Sequence, residues 1–193
     1  MRFDGLRGAG NANAGLSGIR LLSAATLSIE NCVIFGFNSA GVDAANSGNS
    51  FLSVTNTNIT NVTTGINASP GNGASLTGIA DHVTIQDTSG SGIASTGGSV
   101  AFNVTNSNIV NASNAGVDAG PSANVVFDVD SSVVSNNNTG FATSGGRIRI
   151  SRNQIYDNNT TYSVTGTGSM ASSGDNYGVV AGTTPTFGTI TRN

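Results

Sequence analysis

Residues 50–68 read Ser50-Phe51-Leu52-Ser53-Val54-Thr55-Asn56-Thr57-Asn58-Ile59-Thr60-Asn61-Val62-Thr63-Thr64-Gly65-Ile66-Asn67-Ala68. Two-residue alternation puts Leu52, Val54, Ile59, Ile66 and Ala68 on one side of the chain and Ser53, Asn58 and Asn67 on the other. Asn56 and the neighbourhood of Asn61 interrupt that alternation. Asn enters the left-handed backbone region at low cost, so both places read as sharp bends. The stretch is therefore three short strands joined by bends, with one apolar lining.

The same pattern recurs along the chain, and a recurrence at this period points to a solenoid. A Gly followed by an apolar residue occurs at Gly18-Ile19, Gly41-Val42, Gly65-Ile66, Gly92-Ile93, Gly116-Val117 and Gly140-Phe141, with Gly intervals of 23, 24, 27, 24 and 24 residues. A second thread, Asn31, Asn56, Asp81, Asn106 and Ser131, falls at a constant interval of 25 and is followed by Ile34, Ile59, Ile85, Ile109 and Val134. Phe102, Val104, Ile109 and Val117 repeat the inward set, as do Phe127, Val129, Val134 and Phe141, and Ile148, Ile150, Ile155 and Tyr162 read as a last full coil. Small-residue loops such as 46–49, 69–73 and 120–122 vary in length between these copies, as loops projecting from a solenoid do. The predicted fold is all-β: a single right-handed parallel β-helix of about seven coils, three short strands per coil, about 30 Å long at one strand spacing per coil. It forms one domain over 1–193, with incoming coils over 1–22, regular repeats over 23–165 and a C-terminal coil with irregular cap over 166–193. Helical repeats are excluded because Gly, Asn and Thr break every candidate helix.

Composition narrows the function classes. Charged residues make up 9% of the 193, there is no Trp and no Lys, and the net charge is −3. Without a basic patch, nucleic acid and anionic membranes are poor partners, and no stretch is long enough for a membrane span. Met1-Arg2-Phe3-Asp4-Gly5 lacks the apolar core of a secretion signal. Cys32 stands alone, so no internal disulfide forms.

Stacking turns each equivalent position into a column. The Asn31, Asn56, Asp81, Asn106 column reads as an amide ladder at the bend. The next column, Cys32, Thr57, His82, Ser107, Ser132 and Asn153, is mostly small and polar. His82 is the single histidine; with no second His or a Cys beside it, it reads as a wall residue rather than a metal ligand or base, and Asp81 faces elsewhere. Asp43 and Asp118 share an outward column, separated by Asn67 and Ala94, too far apart to act as a pair. The one charged cluster is Asp128, Asp130, Arg147, Arg149 and Arg152. Matching Val129 to Ile150 sets Asp128 beside Arg149, which predicts a cross-strand ion pair. The cluster is also the candidate ligand-binding patch, for an acidic sugar. No cofactor, metal or catalytic set is expected.

The phrases Gly18-Ile19-Arg20-Leu21-Leu22, Leu27 to Phe37 and Ile148 to Ile155 resemble bacterial right-handed parallel β-helix repeat proteins of the pectate-lyase-like group. That resemblance implies the fold and a polysaccharide context. Active members are lyases with calcium-binding acids and a basic proton acceptor, or hydrolases with close Asp residues, a Gly-His-Gly and an Arg-x-Lys element. This sequence carries no Lys, no Gly-His-Gly and no clustered Asp set. The expected function is thus a non-catalytic structural or surface protein, extracellular or on a cell surface, that contacts polysaccharide or self-assembles. The alternative is a polysaccharide lyase or glycoside hydrolase acting on an acidic glycan along the outer face. Met1 to Gly8 reads as a coil already under way, which makes end-to-end stacking into homo-oligomers an expectation. Ice binding is disfavoured, because the outward neighbours Glu30, Thr55, Ala80, Thr105 and Asp130 are too mixed for a regular Thr array.

Overall fold

The computed structural model describes residues 1–5, 15–182 and 184–189. The portion 6–8 of the first-coil reading lies outside them, as does Arg192. Every strand pairs in parallel with its counterpart one coil away, giving two eight-stranded sheets, a third of seven strands and no helix among the described residues. The coil 50–68 places one strand in each: Ser50–Thr55 in the first sheet, Asn58–Thr60 in the second and Thr64–Ala68 in the third. The first sheet begins at Thr26–Glu30 and ends at Gly188–Thr189, the second runs from Arg2–Asp4 to Tyr177–Gly178, and the third from Ile19–Leu21 to Thr160–Val164. This is a right-handed parallel β-helix of about seven coils with three strands per coil.

The predicted inward set is the core. Leu52, Val54, Ile59, Ile66 and Ala68 are fully buried, and Phe102, Phe127, Ile148 and their neighbours continue the stack. Ile34, Ile59, Ile85, Ile109, Val134 and Ile155 pair in register, one above the other. Phe102 and Phe127 meet edge to face at 6.3 Å, and Tyr162 bridges Phe141 and Phe187. Such a stack buries apolar surface on both sides of each layer, which is where the stabilisation arises.

The Gly thread and the Ile thread interlock. A Cβ at Gly41 would lie 2.4 Å from Cγ2 of Ile59, at Gly65 2.4 Å from Ile85, and at Gly92 2.4 Å from Ile109. Each Gly lets the third sheet close against the Ile of the following coil. The two periods are thus two halves of one contact.

Two corners hold the coil. At the first, between the first and second sheets, Asn31, Asn56, His82, Asn106, Ser131 and Arg152 have φ of 46–53°. At the second, between the second and third sheets, Asn61, Asp87, Asn111, Asn136 and Asp157 have φ of 54–58°. The bends expected at Asn56 and Asn61 are therefore left-handed turns. One assignment is corrected. Asp81 is not a corner residue: it ends strand Ser75–Asp81, opposite Thr55 and Thr105, and His82 occupies the corner. The following column carries Val83 where His82 was expected. The outward neighbours in the first sheet include Asp81, not Ala80, which is buried.

The corner column is also not a buried amide ladder, because Asn31, Asn56 and Asn106 are exposed. The ladder lies one residue on. Thr57, Ser107, Ser132, Asn153 and Asn176 each accept, through a side-chain oxygen, a backbone N–H from the coil before, at 3.0–3.3 Å. At the second corner the buried Asn137 and Asn158 do the same, and Asn137 Nδ2 donates to Asn158 Oδ1 at 3.0 Å. These side chains satisfy donors that a tight bend leaves without a backbone acceptor.

Candidate functional site

Strand alternation drives Phe127, Val129, Ile148 and Ile150 inward, so Asp128, Asp130, Arg147 and Arg149 project from the outer face of the first sheet. Register places Asp128 opposite Arg149, and the guanidinium grips the carboxylate with Nε on Oδ1 and Nη2 on Oδ2. The hydrogen bond to Asp128 raises the Arg149 pKa further. Asp130 is held more completely: Arg152 Nη2 and the Ser131 hydroxyl donate to Oδ2, and the Ser151 hydroxyl donates to Oδ1. Burial alone would raise the Asp130 carboxyl, but these donors outweigh it and hold its pKa below the ordinary value. Arg147 lies on the same face between Val126 and Ser169, exposed, and forms no ion pair among the described residues. The five expected residues are thus gathered on one face, and four of them are matched as two ion pairs.

The His82 neighbourhood departs from expectation. Asp81 does not face elsewhere: its Oδ2 lies 2.8 Å from His82 Nδ1. Its Oδ1 accepts from Thr105 Oγ1 at 2.7 Å and Asn106 Nδ2 at 2.9 Å. The Asn106 amide, then His82 and Thr105, lower its pKa to about 2. A depressed carboxylate stabilises the fold fully above its unfolded pKa of 3.8 and loses that contribution as pH falls through the folded value. Thermal midpoints are therefore expected to drop between about pH 4 and pH 2, and to drop less in Asp81→Asn. Equal slopes in the two proteins, read by circular dichroism melts, would refute the assignment.

On the third sheet, Asp43, Asn67, Ala94 and Asp118 fall in one outward column, as expected. Three strand spacings, about 14 Å, separate the two carboxylates, too far for paired acid–base work. Asp43 is nearly buried and bound by Arg20 Nε at 2.9 Å and Asn67 Nδ2 at 2.8 Å. Asp118 sits between Ala94 and Ala142, and burial raises its pKa.

Sequence reasoning missed the second corner as a surface. In five coils the residues there run exposed, buried, exposed: 61–63, 87–89, 111–113, 136–138 and 157–159. The outer members form two parallel rails, one of Asn61, Asp87, Asn111, Asn136 and Asp157, the other of Thr63, Ser89, Ser113, Asn138 and Asn159. Between the rails of the last three coils lies an open groove of about 450 Å³. Asn159 Nδ2 donates to Asn138 Oδ1 at 3.2 Å, and Asn111 Nδ2 donates to Asp87 Oδ1 at 2.6 Å. The signal was present in the sequence as the triplets Asn136-Asn137-Asn138 and Asp157-Asn158-Asn159. A further recess of about 700 Å³, lined by Met1, Phe3, Ile19, Leu27, Ile29 and Cys32 among others, lies at the first-coil end. Among the described residues no three His, Cys, Asp or Glu side chains converge as a metal site. No helix among them is long and apolar enough to cross a membrane.

No family model matches the chain, and no curated protein matches it. Among solved structures it is similar to the enzymatically active domain of tailspike protein 2 of bacteriophage CBA120, with a TM-score of 0.66 at 15% identity. The match covers 92% of this chain and 30% of that one, so this chain spans about a third of the length of the structure it resembles. At that identity the likeness carries the fold. The chain is a right-handed parallel β-helix repeat protein.

Proposed function

We propose that this chain is a non-catalytic surface β-helix that contacts polysaccharide. The observation that carries the reading is the saturation of the charged face: Asp128 and Asp130 are engaged by Arg149, Arg152, Ser131 and Ser151. A general acid or base needs a pKa near the working pH, and Asp130 is held in the opposite direction. Such pairs fasten one coil to the next and are worth a fraction of a kcal/mol to about 1 kcal/mol each at an exposed site. Much of the remaining outer surface, the two rails of the second corner above all, is Asn, Ser and Thr, groups that donate and accept hydrogen bonds as sugar hydroxyls do. An extracellular or cell-surface location goes with such a role.

Assembly is the second element. The first-coil end presents an apolar recess. Of the strands at that end, Thr26–Glu30 pairs only with Ser50–Thr55 and Ile19–Leu21 only with Ala40–Ala44 among the described residues. Self-association through this apolar surface is part of the proposal, and the oligomeric state in solution tests it.

The competing reading, a lyase or hydrolase on an acidic glycan, draws on the tailspike domain described as enzymatically active and on Arg147, a cation of the face with no ion pair among the described residues. One set of measurements separates the two. The chain is run through gels cast with neutral and acidic polysaccharides, and the same polymers are assayed for new reducing or unsaturated ends. Retardation without release of ends is expected, with light scattering showing end-to-end oligomers. Release of ends that is lost in Asp128→Asn or Arg149→Ala would replace this reading with the enzymatic one.

A further inference from the structure

The two polar rails of the second corner have a geometry of their own. At each coil the residue with φ near 55° and the residue two further on point outward, while the one between them is turned into the core. In the last three coils the inward residues are Ala112, Asn137 and Asn158, and the two amides are clamped. Asn137 Oδ1 accepts from Ala112 N at 2.9 Å, Asn158 Oδ1 accepts from Asn137 N at 3.0 Å, and Asn158 Nδ2 donates to Val134 O at 2.9 Å. The exposed side chains therefore stand on a backbone fixed from within. A rigid array loses little conformational freedom when it binds, which is the condition for useful affinity from weak polar contacts.

We infer that this groove, lined by Asn111, Ser113, Asn136, Asn138, Asp157 and Asn159, binds a neutral polysaccharide lying along the solenoid axis. The inference rests on the polysaccharide-contacting reading above and names its site and its ligand class. Periodicity is the first argument. The rails repeat at one strand spacing over five coils, about 19 Å, so a polymer of repeating units meets the same groups again and again. The second is the chemistry of the lining: amides and hydroxyls both donate and accept, as do sugar hydroxyls, and no Arg lines the groove. Charge decides between sugar classes. Asp157 is exposed on one rail and Asp87 continues it, so a polyanion approaching the rails meets carboxylates of its own sign. The acidic-sugar patch of the first sheet is a different surface. Tyr156 supplies the third argument. It directly precedes Asp157 and keeps 37% of its surface exposed, an aromatic side chain next to the rail in sequence though not among the residues lining the groove. Aromatic rings with polar neighbours bury the apolar face of a ligand while its hydroxyls stay bonded.

The test uses the full chain in affinity electrophoresis against dextran, galactomannan and polygalacturonate. The variants are Asn138→Ala/Asn159→Ala, which removes both amides of one rail of the groove and leaves Ser113 and the left-handed positions untouched, and Arg149→Ala on the other face. Melting curves of both variants are recorded alongside. At least one neutral polymer is expected to retard the chain. The double variant is expected to weaken that association about tenfold or more while Arg149→Ala leaves it within about twofold, both melting near the parent. Neutral-polymer binding that survives in the double variant overturns the inference, and so does binding confined to polygalacturonate that disappears in Arg149→Ala. In either case the polysaccharide-contacting reading stands. Failure of all three polymers to retard the parent chain removes both.

Discussion

Gly41→Ala is expected to destabilise the folded chain by about 1–3 kcal/mol or more, although the residue added is a single methyl group. The new Cβ would lie 2.4 Å from Cγ2 of Ile59 and 2.9 Å from the carbonyl oxygen of Gly65. Neither neighbour can yield cheaply: Ile59 is fully buried in a stack of isoleucines, and Gly65 belongs to the backbone of the next coil. Against this stands the entropic benefit of replacing Gly, about 0.4–1 kcal/mol, which is too small to reverse the sign. Gly48→Ala isolates that term. Nothing lies within 4 Å of the position, so this variant is expected to be neutral or slightly more stable. Ile59→Ala alone should cost about 2–5 kcal/mol through the cavity it leaves. Combining it with Gly41→Ala should cost less than the sum by about 0.5–3 kcal/mol, since the methyl then enters the vacated space. Relief stays incomplete because the Gly65 carbonyl remains. Urea unfolding of the four variants measures the cycle, and strict additivity would show that the two threads do not meet.

That contact explains why so much of the fold was legible. The Gly thread and the Ile thread are separate periodicities in the sequence, yet each is a condition on the other, and a chain keeping both can close coils in only one way. What failed did so for an equally concrete reason. Counting by 25 carries the corner column through Asp81, whereas the coils are offset by 26 residues and then by 24, from Thr55 to Asp81 and from Asp81 to Thr105. The two departures cancel, so Asn106 falls back into step and hides the slip. The Ile thread had recorded it, running from Ile59 to Ile85 to Ile109 at the same 26 and 24. Following that thread would have put His82 at the corner and Asp81 beside Thr105.

The charged face was legible for a different reason, because the register of Val129 with Ile150 fixes Asp128 against Arg149 once the core is assigned. Arg152 was grouped with that face, but its pairing with Asp130 depends on a left-handed turn that carries the side chain back over Ser131. The amide groove was passed over, although its triplets 136–138 and 157–159 stand in the sequence. Its diagnostic feature is a buried Asn between two exposed polar residues, and a reading that sends only apolar side chains inward cannot see it.

The second large effect concerns that buried residue. Asn158→Leu is expected to cost about 3 kcal/mol or more, while Asn159→Leu, one residue on, stays within about 0.5 kcal/mol. Leu has nearly the shape of Asn with apolar atoms in place of the amide, so the loss is polar rather than steric. Asn158 Oδ1 accepts from both Asn137 N and Asn137 Nδ2 at 3.0 Å, and Asn158 Nδ2 donates to Val134 O at 2.9 Å and Tyr156 O at 3.2 Å. Each buried group left without its partner costs about 1–3 kcal/mol, and the Asn137 N–H has no room to turn toward water. Propagation adds to this. Asn137 itself holds the Ala112 N–H and donates to Ile109 O, so loosening it weakens the corner one coil further on. Asn137→Leu/Asn158→Leu should accordingly cost less than the two single changes together, because the amides act as one ladder. Hydrogen exchange at Ala112 and Asn137 supplies the local reading: both amides should lose protection in Asn158→Leu, whereas Ile109, whose strand lies inside the sheet, should keep it. Protection unchanged at Asn137 would mean that its N–H finds another acceptor, and the second corner would then be held by the sheets on either side rather than by its amides.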